Sequence, residues 1–103
     1  MEKGNGNRGK VLNQVYQLAK AHLKGRKVRL YLFGSWARGE ERRSSDIDLA
    51  VDCDTPVSPL LLAQLREVFE ESTVPYRVEV VDLSRADDTF REKVKREGIE
   101  WEV

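Results

Sequence analysis

Two apolar runs joined by a short link constrain this chain most: Val28–Phe33 and Ile47–Val51. In the first, Val28, Leu30 and Leu32 alternate with Arg29 and Tyr31. The second is nearly continuous in apolar character. Both patterns read as strands, the second as a central one. A parallel pair needs a crossover connection, usually a full helix. The link from Gly34 to Asp46 is too short for that, holding a chain break, one possible helical turn at Ser35–Gly39 and a charged excursion. The two strands are therefore expected to run antiparallel or to be locally mixed.

The flanking segments carry helical and strand patterns in alternation. Val11, Leu12, Val15, Leu18, Ala19 and Leu23 follow helical spacing, which predicts a helix from about Arg8 to Lys24, stopped by Gly25. Leu61, Leu65, Val68 and Phe69 form one stripe, predicting a helix from about Ser58 to Ser72. Beyond Pro75, Tyr76–Leu83 reads as a third strand. A last helix over about Ala86–Arg96, capped by Ser84 or Asp87, buries Phe90 and Val94, and Ile99 and Trp101 suit a short edge segment. Helices between strands imply an α/β (or α+β) fold, a small mixed β-sheet flanked by helices. The 103 residues suffice for one compact domain, expected over residues 9–103 after a flexible, polar N-terminus at 1–8.

Composition removes several function classes. Lys+Arg and Asp+Glu both number 18, so no overall basic field exists to draw in nucleic acid, and no direct nucleic-acid binding is expected. No apolar run approaches the ~18 residues of a membrane span. Cys53 is the single cysteine, which rules out an internal disulfide and fits a reducing cytoplasm. Leu60–Leu62 or Trp101, if exposed, offers apolar surface that a homodimer could use.

Chemistry concentrates between Leu32 and Leu49. Gly34 lets a ligand approach the backbone, and Ser35 adds a hydroxyl where the first N–H groups of a helical turn are unpaired. An ordinary strand-ending turn would explain a lone Gly-Ser equally well. Gly34 and Gly39 have P-loop spacing, but Glu40 and Glu41 stand where that motif needs Lys and Ser/Thr, which excludes it. Asp46 and Asp48 are two apart on a strand, so they share a face at roughly 7 Å. At an effective dielectric near 20 they repel by roughly 2 kcal/mol, which a cation would relieve. Mg²⁺ takes such oxygen ligands together with water and phosphate oxygens. Glu79 sits between Val78 and Val80, either as a third carboxylate beside the pair or on the wet face of an edge strand. Arg38 can meet phosphate, Arg42 and Arg43 read as a solvated loop, and Ser45 can brace the carboxylates through nearby backbone. His22, among Lys20, Lys24 and Arg26, reads as a surface residue. No Ser/His/Asp or Cys/His set offers a nucleophile, and the chain is too short in alternating elements for a phospho-receiver domain.

The joint pattern is more specific than its parts: Gly34-Ser35, ten residues, Asp46-Ile47-Asp48, then Glu79 on a later strand. Phe33-Gly-Ser-Trp-Ala-Arg-Gly-Glu40 and Ser45-Asp-Ile-Asp-Leu-Ala-Val51 resemble the minimal nucleotidyltransferases of the DNA polymerase β-like superfamily. The resemblance covers nearly the whole chain. It implies the nucleotidyltransferase fold, with Gly34 and Ser35 holding the phosphates of a nucleoside triphosphate and Arg38 and Ser45 beside them. It further implies that Asp46, Asp48 and Glu79 bind two Mg²⁺ ions, the third acid also helping to deprotonate the attacking hydroxyl. Members are commonly paired, as antitoxins, with a helical HEPN-domain ribonuclease toxin, and some transfer AMP from ATP to a hydroxyl of that partner. The family's third acid is usually Asp, so Glu79 is a departure. Its extra methylene shifts the carboxylate by about one bond length where a two-metal site holds its ions ~4 Å apart. A catalytically weak binding module of the same fold, which neutralises its partner by covering it, is the alternative.

Overall fold

The structure is a computed structural model and describes residues 3–103. Its elements run α1 (Lys3–Leu23), β1 (Arg29–Phe33), α2 (Ser35–Arg38), β2 (Ile47–Asp52), α3 (Pro59–Glu70), β3 (Val78–Asp82), α4 (Asp88–Glu97) and β4 (Ile99–Trp101), with a 3₁₀ turn at Leu83–Arg85. Element order and type agree with the sequence patterns. α1 begins at Lys3, ahead of the expected Arg8, although Gly4 and Gly6 disfavour helix there. Part of segment 1–8, expected to be flexible, is thus helix, while Met1 and Glu2 lie outside the described residues. No helix among the described residues is long and apolar enough to cross a membrane.

The four strands form one mixed sheet in the order β3-β2-β1-β4. β1 pairs antiparallel with β2, as the short link requires, and antiparallel with β4. β2 and β3, joined through α3, are parallel. Alternation along β2 sends Ile47, Leu49 and Val51 to one face, where they meet Leu30 and Leu32 of β1, Val15, Ala19 and Leu23 of α1, and Leu61, Leu65 and Phe69 of α3. This is the main core. The opposite face carries a smaller cluster of Tyr31, Ala50, Leu83 and Val94, flanked by Phe33 and Phe90, so the 3₁₀ turn and α4 cover it. Asp87 caps α4 by accepting the Phe90 N–H at 2.8 Å.

α4 is tied down by charge as well as by packing. Asp52, at the end of β2 on the α4 side, is fully buried. Arg29 of β1 reaches it at 3.1 Å, Lys95 of α4 at 3.3 Å and Arg91 of α4 at 3.6 Å. Burial by itself would push this carboxyl up. The hydrogen bonds from Arg29 and Lys95, with the charges of Lys95 and Arg91, outweigh burial and hold it below the usual carboxylate range. Asp52→Asn removes the carboxylate partner of Lys95 and leaves Arg29 with Asp54 and Arg91 with the Leu83 carbonyl, and it is expected to cost about 1.5–3 kcal/mol of stability by urea unfolding at neutral pH. Because the folded carboxyl is depressed, its contribution is complete above the unfolded value of about 3.9 and is lost as pH falls below it. The deficit of the variant should accordingly shrink on acidification.

Candidate active site

The site is built where β1 ends and β2 begins. Gly34 leaves β1 at φ 78° and ψ −157°, a backbone region open essentially to glycine alone. Two contacts follow from that bend. Its carbonyl accepts the N–H groups of Ala37 (3.1 Å) and Arg38 (3.2 Å), which starts the single turn of α2. Its α-carbon lies against the Asp48 carboxylate so closely that a Cβ there would collide with Oδ2. Trp36, buried in the main core, packs edge-on against Tyr76 (centroids 4.9 Å) and donates its indole N–H to the Ser45 carbonyl at 3.3 Å. Gly39, in the left-handed region, ends the turn.

The excursion between α2 and β2 is held from two sides. Arg8 of α1 bonds Glu41 at 2.8 Å and the Trp36 carbonyl, with its guanidinium 6.0 Å over the indole ring. The Ser45 hydroxyl accepts the Arg42 N–H at 2.8 Å, so it closes the excursion upon itself. Arg42 and Arg43 are exposed. Arg38 pairs with Glu40 at 2.9 Å. The two glutamates that argued against a P-loop are both neutralised by arginines.

All three acids come to the same region. Asp46 and Asp48 flank buried Ile47 and are both half-buried, as alternation requires. Asp48 stands beside Glu79 in the parallel β2–β3 register and opposite Phe33 in the β1–β2 register. Glu79 is therefore both a neighbour of the carboxylate pair and a residue of an edge strand. Its carboxylate is taken by Arg77 at 2.8 Å. Among the described residues, no three acidic, His or Cys side chains converge closely enough to hold a metal ion as they stand.

Electrostatics mark Asp48. Burial pushes its carboxyl above the usual range, the charges of Asp46 and then Glu79 push it further, and only Arg38 opposes them. A strand mouth so arranged favours whatever brings positive charge to it. Hard carboxylate oxygens on one face match the way Mg²⁺ is held, by one or two carboxylates together with substrate phosphates. The donor set thus fits Mg²⁺ with Asp46 and Asp48 as its protein ligands.

Beside Gly34, on the α4 side, a cleft of about 160 Å³ opens between the β1–α2 bend and α4, with Arg38 and Lys93 on its walls. The periodicity of α4 predicted its buried residues but gave no sign that its polar face borders the bend. The Arg77–Glu79 pair was likewise not anticipated. A separate groove of about 770 Å³ along α1 and β4 lies among Leu12, Tyr16, Ile99 and Trp101 and includes none of the three site acids.

Comparison with known proteins agrees with the geometry. The family model "Polymerase beta, Nucleotidyltransferase" matches residues 15–100. The probable protein adenylyltransferase MntA of Haemophilus influenzae is 34% identical over 67 residues, 65% of this chain and 59% of that protein. This chain therefore spans less than two thirds of that relative's length. The protein adenylyltransferase MntA of Thermococcus cleftensis is 31% identical over 94 residues, covering 86% of this chain and 94% of its own. A solved toxin–antitoxin structure with AMP-PNP superimposes with a TM-score of 0.68 at 27% identity, over 85% of this chain and 73% of that one.

Two variants probe the bend and the acid beneath it. Gly34→Ala should lower stability by about 1–3 kcal/mol in urea unfolding, since it meets both a forbidden backbone region and the Asp48 carboxylate. Asp48→Asn should do the reverse and raise Tm by a few degrees at neutral pH. A carboxyl raised in the folded state destabilises once pH exceeds its folded value, so this gain should vanish below the ordinary carboxylate range.

Proposed function

This chain belongs to the polymerase β nucleotidyltransferase family, and we propose that it is an Mg²⁺-dependent enzyme transferring AMP from ATP to a hydroxyl of a partner protein. The partner is a HEPN-type toxin, and the modification, in the cytoplasm, is the antitoxin action. The observation that carries this reading is the crowding of Asp48 by Asp46 and Glu79 beneath Gly34. The names of the Haemophilus and Thermococcus relatives support the activity, and the toxin–antitoxin structure with AMP-PNP supports the nucleotide and the pairing.

Each residue has a task. Gly34 and Ser35 receive the triphosphate at the bend, with Ser45 keeping the excursion closed behind it and Arg38 offering a guanidinium to the phosphates. Asp46 and Asp48 hold Mg²⁺, and Glu79 completes the acid set once it leaves Arg77. Bound Mg²⁺ supplies charge neutralisation at the α-phosphate and at the departing pyrophosphate. The acceptor hydroxyl attacks the α-phosphorus in line, forming a new O–P bond as the bond to the pyrophosphate oxygen breaks. Its proton passes to the Glu79 carboxylate. Since no side chain forms a bond to phosphorus, positioning and electrostatics provide the catalysis.

The Arg77–Glu79 ion pair favours one second reading, a module that silences its partner by binding alone. Incubation with labelled ATP, Mg²⁺ and a co-expressed HEPN partner separates the two. Transfer of label that falls at least about a hundredfold in Asp46→Asn and Asp48→Asn supports the enzyme. A stable complex that takes up no label supports the module.

A further inference from the structure

α4 presents two different polar edges. Its cations are Arg91, Lys93, Lys95 and Arg96. Arg91 and Lys95, four apart, both turn to Asp52, and Arg96 lies 3.7 Å from Glu97. Lys93 forms no ion pair among the described residues. It belongs instead to the stripe Phe90–Lys93–Val94–Glu97, whose spacing places these side chains on one helical face. That face lines the cleft beside Gly34, opposite Arg38. Phe90 meets Phe33 edge-on at a centroid distance of 5.7 Å, and both rings line the cleft. The cleft walls therefore carry two cations, Arg38 and Lys93, against one acid, Glu97. The opening also adjoins the glycine that touches Asp48.

We infer that Lys93 is a substrate-binding residue, its ammonium group holding the β- and γ-phosphates of the nucleoside triphosphate across the cleft from Arg38. This rests on the proposed function. With the α-phosphate at Asp46 and Asp48, the rest of the triphosphate needs cations that carboxylates cannot supply. Gly34 touches the Asp48 carboxylate and also lines the cleft. A lysine is a point charge on a flexible stem and suits a phosphate group that must leave as pyrophosphate. Asp52 has a part in this, because anchoring Arg91 and Lys95 sets the rotation of α4 that turns Lys93 toward the bend.

Calorimetric titration of the intact chain with Mg²⁺ and a non-hydrolysable ATP analogue, and separately with AMP, tests the assignment. Lys93→Ala should bind the triphosphate analogue about tenfold or more weakly, as for one lost charge-assisted hydrogen bond, with AMP affinity within about twofold of the parent. Lys93→Arg should restore most of the loss, and Lys20→Ala, a control on α1, should change nothing. The ligand-free Tm of Lys93→Ala should match the parent, since the side chain is exposed and forms no ion pair among the described residues. Equal triphosphate affinity in parent and Lys93→Ala, or equal losses for triphosphate and AMP, overturns the role of Lys93 while the transferase reading stands. Failure of the parent itself to bind the analogue overturns both.

Discussion

The close approach of Gly34 to Asp48 is the contact on which the site depends. A Cβ at position 34 would occupy the space of the carboxylate, and the backbone there adopts a conformation that L side chains avoid. Glycine removes both obstacles in one residue. The same bend starts α2 and lets Asp48 sit half-buried at the strand mouth. That carboxylate then stands beside Glu79 and feels Asp46, with only Arg38 to offset them. The fold accepts an electrostatic penalty at this point, as expected where charge is kept ready for a cation or a phosphate-bound metal.

β2 carries the opposite case at its other end. Asp52 is more deeply buried than Asp48, yet its carboxyl is depressed, because Arg29, Lys95 and Arg91 surround it. One strand therefore presents two aspartates on one face, one with an excess of acid neighbours and one with an excess of base. The difference separates task from scaffold. Asp52 fixes α4 against the sheet, and α4 in turn forms one wall of the cleft that opens at Gly34. The smaller apolar cluster alone, Tyr31, Ala50, Leu83 and Val94, leaves the helix little to grip, so the buried charge cluster supplies the register.

Much of this was legible in the residue order. The short link between Phe33 and Ile47 predicts antiparallel or locally mixed pairing, the nearly continuous apolar run of Ile47–Val51 predicts a central strand, and the stripes of α1 and α3 predict the face they bury. The sequence leaves Glu79 either beside the pair or on the wet face of an edge strand, and the parallel β2–β3 register makes it both. What was not legible is contact across the sheet. Nothing in Asp52 distinguishes it from Asp54, its exposed near neighbour, until Arg91 and Lys95 arrive from α4. Lys93 resembles any surface lysine in sequence, since its role depends on the rotation of a helix held by other residues. The Arg77–Glu79 pair is a choice of side-chain rotamer that periodicity does not encode. The early start of α1 at Lys3 has no local cause in its glycine-rich sequence.

On the proposed function, the carboxylates gathered under Gly34 hold a divalent cation together with a nucleotide. Anomalous diffraction from crystals grown with Mn²⁺ and a non-hydrolysable ATP analogue addresses it most directly. Manganese peaks are expected within about 2.3 Å of carboxylate oxygens of Asp46 and Asp48, with Glu79 released from Arg77 and the triphosphate at the Gly34–Ser35 bend. Manganese bound elsewhere, or nucleotide density with no metal at these two aspartates, would contradict it.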